Sequence, residues 1–374
     1  MPMFFFRFPG IDAGRKIRAR TDCSVVDACA AQDSSFHFIG KKMCDCDVSV
    51  VMPVFNAQNT VRRAVISMLN QTLLPVELIV VDDGSTDQTV QVLNSLNDDR
   101  VILVQRSHQG VAAAANAGTE LAKSPLIARM DADDFSHPER LEKQVSQLQR
   151  CELDVVGCQV RITDDHGRPS SALGRYAKWI NDETASSDTI AALRFVELPI
   201  VNPTILGRRE YFELGFRDNG MPEDYDLMLR AAARGMNFGK VAETLFDWTD
   251  SSERLTRTHE NFSDAAFMRC RREHLLAGPL SGLKYVDLWG VGKAGKPWLR
   301  WLRQNGIRVR RAYDIDPRKI NTMIHSAEVH DPANLLYDGT TMLVAVGADK
   351  ARQTIWPQLV NCGFTPGVDA WFVA

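Results

Sequence analysis

Three carboxylates fall within four residues of the sequence, at Asp131, Asp133 and Asp134. They follow residues 125–130, an apolar run with the composition of a buried strand. Aspartate is a poor strand former and is costly to bury alone, so the strand is expected to end where the acids begin. Oxygen ligands at this spacing suit Mg²⁺ or Mn²⁺, which would also relieve the repulsion between the carboxylates. A helix N-cap with solvated turn acids explains the same residues, because residues 136–139 begin a helix.

Two other strand-like runs end in polar residues. Residues 48–55 lead into Asn56, and residues 76–81 lead into Asp82 and Asp83. The segments between the runs have apolar residues three and four positions apart, which is the period of an amphipathic helix. Strands that alternate with helices predict an α/β fold, with a mostly parallel sheet and helices on both faces. Ligands bind such sheets at the carboxyl ends of the strands, so we expect one ligand to contact all three polar ends.

The composition excludes several classes of protein. The chain has 374 residues, enough for two or three domains, and its formal net charge of −3 gives no basic surplus for nucleic acid. No apolar run reaches the ~18 residues of a membrane-spanning helix, and the apolar start lacks the features of a signal peptide. We therefore expect a cytoplasmic protein that does not bind nucleic acid. Residues 1–46 show no helical or strand period and are predicted to be a disordered extension.

Five stretches resemble, in the same order, the motifs of family 2 glycosyltransferases, which have the nucleotide-diphospho-sugar transferase fold. They are residues 50–61 (VVMPVFNAQNTV), 79–87 (IVVDDGSTD), 109–118 (QGVAAAANAG), 130–134 (MDADD) and 222–230 (PEDYDLMLR). The resemblance extends over about residues 47–260, which would form the catalytic domain. It implies an inverting transfer of a sugar from a nucleotide-diphospho-sugar donor to a hydroxyl of a saccharide or lipid-linked acceptor. The expected setting is surface polysaccharide or glycoconjugate synthesis, in the cytoplasm or at the inner face of the membrane.

The resemblance also implies which residues bind the donor and a Mg²⁺ or Mn²⁺ cofactor. The strand-end residues would hold the base and ribose, and Asn116 would face the same pocket from a helix. Asp133 would bind the cation that bridges the two phosphates, with Asp131 beside it and His259 as a third ligand. The family often has an arginine where this chain has Ala115, which weakens a phosphate contact from that helix. The implied donor-binding residues are Pro53, Val54, Phe55, Asn56, Asp82, Asp83, Asn116 and Asp131.

The acids of residues 222–230 are the expected catalytic groups. An acceptor hydroxyl has a pKa far above neutral, so its proton must be removed as it attacks the anomeric carbon. The resemblance implies that Asp224 is the general base and that Glu223 orients it or binds the acceptor. Acids beside Pro222 would also be explained by the positive end of a helix dipole. Asp226, further along the helix, is expected to be structural.

A different pattern begins at residue 284. Residues 285–289 form a strand-like run, residues 290–295 fit G-x-G-x-x-G, and Asp314 ends the next strand-like run. This pattern predicts a small Rossmann-like domain over residues 284–374, which either binds a nucleotide or serves as an interaction module without a ligand. Residues 261–283 would be a helical linker whose charges form a solvated face, and a peripheral membrane contact is also compatible with them.

Two other functions fit parts of the sequence. A sugar nucleotidyltransferase shares the expected sheet, but it usually has a glycine-rich, basic phosphate loop after the first strand. This chain has Pro-Val-Phe-Asn at that point, residues 53–56, without glycine or lysine. A non-catalytic sensor of nucleotide sugars, with the C-terminal domain signalling to a partner, is the other alternative. The presence of both Asp133 and Asp224 favours an enzyme over a sensor.

Overall fold

The computed structural model describes residues 48–74, 77–164, 167–170, 173–251, 254, 257, 259–348 and 350–374. These residues belong to one compact unit, which extends from Gly40 to Ala374. The extension predicted at residues 1–46 lies outside the described residues, and the domain boundaries at residues 260 and 284 stay predictions. In the described part of the chain, no helix is both long and apolar enough to cross a membrane.

Eight strands form the first sheet: β1 (Val48–Val54), β2 (Glu77–Asp82), β3 (Val101–Gln105), β4 (Leu126–Arg129), β5 (Phe135–Ser136), β6 (Val155–Thr163), β7 (Leu206–Arg208) and β8 (Phe238–Thr249). Their order in space is β3-β2-β1-β4-β7-β6-β8-β5, and the first four pair in parallel. β7 is antiparallel to both of its neighbours, and β5 is antiparallel to β8. The expected α/β architecture is confirmed, with a mixed sheet in which the strands that begin the chain run parallel.

Helices lie on both faces of this sheet, as the sequence predicts. Those of the first part of the chain are α1 (Val61–Leu69), α2 (Thr89–Asn94), α3 (Val111–Leu121), α4 (Arg140–Arg150), α5 (Gly174–Lys178), α6 (Ser187–Leu193), α7 (Arg209–Phe212) and α8 (Glu223–Ala233). A π-helical segment, Trp179–Glu183, follows α5, and 3₁₀ turns occur at Asn202–Thr204, Glu260–Phe262 and Pro332–Asn334.

The central strand β1 is apolar because both of its faces are buried. Val50 and Met52 pack into the core layer that contains α1 and α4, while Val51 points to the opposite layer with α3. A side chain at Gly118 of α3 would bring its Cβ within 2.5 Å of Val51 Cγ1. The glycine therefore lets α3 lie close against β1, which places the N-terminus of α3 beside the carboxyl ends of the strands.

The segment after the acid cluster differs from the prediction. The sequence suggests a helix from Pro138, with Asp134 at its start, but α4 begins only at Arg140. Phe135 and Ser136 instead form β5, which pairs with Asp247 and Phe246 of β8. Asp134 therefore precedes a strand, and its carboxylate accepts a hydrogen bond from the backbone N–H of Thr249 at 2.7 Å. The strand pairing explains why these residues do not cap a helix.

A second sheet exists at the C-terminus, with six strands: β9 (Tyr285–Trp289), β10 (Arg308–Tyr313), β11 (Met323–Ile324), β12 (Ala327–His330), β13 (Met342–Val344) and β14 (Ala370–Phe372). Its order is β11-β12-β10-β9-β13-β14, and all of its pairs are parallel except β11 with β12. The associated helices are α10 (Gly295–Gln304) and α11 (Ala351–Asn361), and α9 (Asp264–Ala277) precedes the sheet.

The helix α9 confirms the expected helix before this sheet, but of its arginines only Arg269 is exposed, and Arg271 and Arg272 pack against the protein. Arg271 donates to the backbone carbonyl of Val196 at 2.7 Å. The Arg272 guanidinium lies over the rings of Trp298 and Trp301, 5.4 Å from each centroid. The sequence could not separate these roles, because an arginine that packs on a tryptophan has the same spacing as one that faces water.

The second sheet packs directly against α6 of the first half. The Arg194 guanidinium, one residue after α6, lies 4.5 Å from the ring of Trp371 in β14 and 5.3 Å from the ring of Phe195. The rings of Phe195 and Trp371 meet edge to face at 5.6 Å. The backbone carbonyl of Arg194 accepts a hydrogen bond from the Tyr225 hydroxyl at 2.5 Å, which connects this contact to α8.

Candidate active site

Hydrogen bonds between their loops tie the ends of β1 and β2 together. The backbone N–H of Asn56 donates to the Ser85 hydroxyl at 2.8 Å, and the Asn56 side-chain oxygen accepts from the backbone N–H of Thr86 at 2.8 Å. Asn56 has a φ of 49°, in the left-handed region that asparagine tolerates better than most residues. Pro53 and Val54 are buried at the end of β1, so Phe55 and Asn56 are the residues of this turn that face solvent.

An exposed aromatic pair stands at this rim. The Phe55 side chain is 46% exposed, and its ring lies 4.3 Å from the ring of His108, at an interplanar angle of 32°. His108 Nδ1 lies 2.9 Å from the Asp83 carboxylate, which fixes the imidazole beside the phenylalanine. These two exposed rings, tilted toward each other, form a platform on which a flat ring could stack. The sequence predicts Phe55 but not His108, because the contact of His108 depends on where the loop before α3 folds.

The adjacent carboxylates of Asp82 and Asp83 have different surroundings. Asp83 is buried and accepts from the backbone N–H groups of Gln109 at 3.1 Å and Gly110 at 2.7 Å, so it anchors the start of α3. Asp82 accepts from the backbone N–H of Ser85 at 3.3 Å through one oxygen. Its other oxygen, Oδ1, has no hydrogen-bond partner among the described residues. Of the two, Asp82 is the carboxylate with a free acceptor.

Asn116 is fully engaged by the protein backbone. Its amide nitrogen donates to the carbonyl of Phe216 at 2.9 Å, and its amide oxygen accepts from the Phe216 N–H at 2.8 Å. This two-point contact ties α3 to the loop that leads to α8. Asn116 thus positions that loop in this structure, and its contact with a donor stays a prediction.

A buried arginine lies beneath the acid cluster. Arg129 is 1% exposed, and its guanidinium donates to Asp131 Oδ1 at 2.8 Å and to the carbonyl of Val51 at 3.2 Å. Asp131 itself is 35% exposed, so one side of its carboxylate faces outward. The alternation of side chains along an extended chain puts residues 129 and 131 on the same side, a signal that the sequence analysis did not use.

The two following acids have raised pKa values for related reasons. Burial and the charge of Asp131 raise the pKa of Asp133 to about 6, while Arg254 and Arg63 oppose that rise. Burial, followed by the charges of Asp133 and Asp131, raises the pKa of Asp134 well above its ordinary value. The three carboxylates therefore repel one another, and the nearby arginines do not compensate fully.

The N-terminus of α8 faces this cluster. Burial raises the pKa of Glu223, and the charges of Asp224 and Asp131 raise it further. Burial also raises the pKa of Asp224, with further contributions from Asp131 and Glu197. Asp131 acts on both residues, so the end of β4 and the start of α8 lie in one site although they are about 90 residues apart in the sequence. The backbone N–H of Tyr225 donates to Asp224 Oδ1 at 2.7 Å.

Asp226 lies outside the site, as expected from the sequence. It accepts from Arg230 Nε at 2.7 Å and lies 3.0 Å from His274 Nε2 of α9. Burial acts to raise the pKa of Asp226, but the hydrogen bonds with His274 and Arg230 outweigh burial and hold the pKa below its ordinary value. Asp226 therefore fastens α8 to α9.

Aromatic side chains form a wall beside Asp224. The Tyr176 ring lies 6.0 Å from the Trp179 ring and 5.9 Å from the Trp248 ring. Burial raises the pKa of Tyr176, and the charges of Glu197 and Asp224 raise it further, which indicates that the tyrosine lies near Asp224. The Arg254 guanidinium lies over the Trp248 ring, 3.8 Å from its centroid.

The expected three-ligand metal set is not formed. The described residues contain no group of three or more His, Cys, Asp or Glu side chains placed to hold one metal ion. His259 therefore does not join Asp131 and Asp133 in such a group. Its Nδ1 instead accepts from the backbone N–H of Asn261 at 3.2 Å, which caps a short 3₁₀ turn. Arg257, two residues before His259, pairs with Asp250 at 2.6 Å.

A parallel-stranded half sheet whose strand ends carry acids, with a second acid pair on a facing helix, defines the class of nucleotide-sugar-dependent transferases. The family model described as "Glycosyl transferase family 2" matches residues 49–216. An uncharacterised glycosyltransferase from Haemophilus influenzae is 40% identical over 185 residues, which is 49% of this chain and 70% of that protein. The chain belongs to glycosyltransferase family 2.

Two further proteins support the family and the fold. The putative glycosyltransferase EpsE of Bacillus subtilis is 30% identical over 253 residues, covering 64% of this chain and 86% of EpsE. The crystal structure of Staphylococcus aureus TarS (residues 1–349) with UDP-GlcNAc superposes with a TM-score of 0.50 at 19% identity. That match covers 62% of this chain and 67% of the TarS chain, and it supports the fold alone.

Proposed function

We propose that the protein is an inverting, divalent-cation-dependent glycosyltransferase that uses a nucleotide-diphospho-sugar donor and a hydroxyl of a saccharide or lipid-linked acceptor. The observation that carries this proposal is that Asp131 influences acids of two separate segments, its own loop and the start of α8. Its charge raises the pKa of Asp133 on its own loop and of Glu223 and Asp224 on α8. Donor and acceptor would meet where these acids face one another.

The donor would enter along the strand ends. Phe55 and His108 supply a platform for the base, and the buried Asp82 Oδ1 at the end of β2 is an acceptor without a hydrogen-bond partner among the described residues. Asp83 contributes indirectly, because it holds His108 and the backbone of Gln109 in place. Asp131, which is partly exposed, lies further along the same edge and would face the ribose or the phosphates.

The pair Asp131 and Asp133 fits a divalent cation. Burial and, second, repulsion from Asp131 raise the pKa of Asp133, and a bound cation would relieve both effects. Mg²⁺ is commonly held by one or two carboxylates together with substrate phosphates, so a third protein ligand is not required. When bound, the cation would stabilise the negative charge that develops on the departing diphosphate. The membership in family 2 is consistent with this role.

Asp224 is the proposed general base and would accept the proton of the acceptor hydroxyl. Its neighbour Glu223 has the same two perturbing influences, burial and close carboxylates, so the pair is expected to share a proton near neutral pH. A protonated Glu223 could donate a hydrogen bond to the acceptor while Asp224 stays ionised. One carboxylate suffices for direct displacement at the anomeric carbon, which inverts its configuration. Tyr176 and Trp248 would contact the acceptor sugar.

A thermal-shift screen of nucleoside diphosphates, with and without Mn²⁺, tests the donor and cation together. We expect one base to raise the melting temperature strongly, and only in the presence of the cation. Asp133→Ala should abolish that shift, whereas Asp188→Ala, an exposed aspartate in the first turn of α6, should keep it. A shift that is equal with and without Mn²⁺, or that survives Asp133→Ala, would contradict the proposed cation site.

A further inference from the structure

The turn between β9 and α10 brings the helix directly behind the end of the strand. Gly290 has a φ of 98°, and a Cβ there would lie 2.6 Å from the carbonyl oxygen of Ala345. A Cβ on Gly295 would collide with the carbonyl of Gly290. Because only glycine fits at both positions, the loop folds tightly under the first turn of α10. The surface above the loop is concave.

A cavity of about 630 Å³ occupies this concave surface, and we call it the basic cavity. Four cationic side chains line it, from Lys293, Lys296, Arg300 and Lys319, and no carboxylate is among its lining residues. Lys296 and Arg300 are four positions apart on the exposed side of α10, and Lys293 is exposed in the turn just before the helix. A solvated helix face is usually mixed in charge, whereas this one carries only positive charge toward the cavity.

Three of the four cations have no carboxylate partner in the part of the chain that the structure describes. Within the described residues, no carboxylate lies within ion-pair distance of Lys293, Lys296 or Arg300. Lys319 differs, since its ammonium lies 2.9 Å from Asp314 Oδ2. Like charges that line one cavity repel one another. A bound polyanion would attract each of these cations and offset the repulsion among them.

Asp314 helps to define the ligand. It stands at the end of β10, where an acid could bind the hydroxyls of a ribose. Its oxygens are already used, because Oδ2 accepts from the backbone N–H of Val291 at 3.1 Å and from Lys319, and Oδ1 accepts from the Asp316 N–H at 3.0 Å. Asp314 is also buried and is not among the residues that line the cavity, so the cavity presents its cations to a ligand rather than this acid. Asp314 instead fixes Val291 and Lys319 at the edge of the cavity.

We propose that the basic cavity binds a diphosphate ester, held through its phosphates by Lys293, Lys296 and Arg300. The volume is in the range of small-molecule sites, roughly 300–1,000 Å³, and exceeds what one phosphate needs. Pro297 and Ile324, which also line the cavity, would contact the organic part. The ester could come from a soluble nucleotide or from a lipid-linked diphosphate, which share this chemistry. The site is separate from the one proposed for the sugar donor, and it does not depend on that proposal.

The test measures the binding of inorganic pyrophosphate to the full chain by calorimetry. EDTA is present so that cation-dependent binding of the donor is suppressed. We expect saturable, salt-sensitive binding to the unaltered protein. The triple variant Lys293→Ala/Lys296→Ala/Arg300→Ala should bind about tenfold more weakly or worse. A control with Arg62→Ala, Arg150→Ala and Arg303→Ala removes the same number of exposed cations elsewhere and should bind normally.

Pyrophosphate binding that is equal in the triple variant and the unaltered protein would overturn the proposal, as would no binding by either. Circular dichroism would verify that the triple variant is folded. Two further arms identify the source of the ester, namely uridine diphosphate in solution and vesicles that carry a polyprenyl diphosphate. Binding in one arm that is lost in the triple variant but kept in Asp133→Ala assigns that source. If pyrophosphate binds through these residues and neither ester does, the ester assignment is wrong.

Discussion

The buried guanidinium of Arg129 donates to the Asp131 carboxylate at 2.8 Å from directly beneath the acid cluster. The same arginine lowers the pKa of Glu223 on α8, opposing the larger effect of burial. Arg129 thus acts on an acid of each group, Asp131 at the end of β4 and Glu223 on α8. Its hydrogen bond orients the Asp131 carboxylate while leaving part of it exposed for a ligand.

Replacing Arg129 by methionine should destabilise the protein by about 3 kcal/mol, because the buried side of the acid cluster loses its counter-charge and hydrogen bonds. Urea unfolding would measure the change. Arg208→Met is the matched control, since that arginine is 47% exposed and lies 3.6 Å from Asp154. We expect the control to cost less than about 1 kcal/mol. Equal effects of the two variants would show that Arg129 has no special role.

Replacing Asp224 by asparagine should lower the transfer rate about 10²-fold to 10⁴-fold, because the amide cannot accept the acceptor's proton. Donor binding, measured by thermal shift, should stay unchanged. The control is Asp188→Asn, an aspartate in the first turn of α6 as Asp224 is in the first turn of α8. If the acids serve only the helix dipole, both variants would lose a similar, small amount of stability and neither would lose activity.

The pKa of Asp133, raised to about 6 by burial and by Asp131, gives a pH-dependent prediction for stability. The folded protein binds this proton more tightly than the unfolded chain, so ionising Asp133 costs folding free energy as the pH rises from about 4 to about 7. Asp133→Asn removes that cost. In EDTA, the variant should gain about 2 kcal/mol relative to the unaltered protein at pH 7 and nothing at pH 4.

Urea unfolding at the two pH values measures this difference. An identical gain at both would mean that Asp133 is not perturbed in the folded state. Transfer activity should depend on pH in the opposite direction from stability. It should rise as the pH passes through about 6, because a cation ligand must be ionised. Asp133→Asn should have no activity at any pH.

The aromatic platform predicts a change in donor affinity. Phe55→Ala or His108→Ala should each weaken nucleoside diphosphate binding by about 1–2 kcal/mol, because each removes one ring of the stacking surface. Calorimetry with the nucleotide found in the screen would measure it. Leu74→Ala, which removes another exposed apolar side chain, should have no effect. Unchanged affinity in both ring variants would place the base elsewhere.

The sequence predicts the strand ends well because each is a local event. The runs that lead to Asn56, Asp82 and Asp131 are apolar on both faces, and each must stop where a carboxylate or amide begins. The same local rules failed at Ser136, where pairing with β8, more than 100 residues later, overrides a helix-start pattern. A two-residue strand leaves no periodic signal that could compete with the helix-start residues around it.

The convergence of β4 with α8 could not be predicted from residue patterns alone. Asp131 and Asp224 belong to segments that are separately explained by turns and by a helix dipole, and only the resemblance to a known family joined them. His108 was missed for a similar reason, because its contact with Phe55 depends on how Asp83 anchors the loop before α3. Arg129 was within reach, since its spacing from Asp131 already places both on one side of a strand.

The contact between Arg194 and Trp371 has a consequence for dividing the protein. A chain that ended at residue 283 would leave the Phe195 ring and the Arg194 guanidinium without the tryptophan that covers them. The Arg194 carbonyl holds the hydroxyl of Tyr225, the residue next to Asp224, so loosening this face would reach the proposed base. The C-terminal sheet therefore stabilises the part of the protein that contains the proposed base. The two parts should be expressed and purified as one chain.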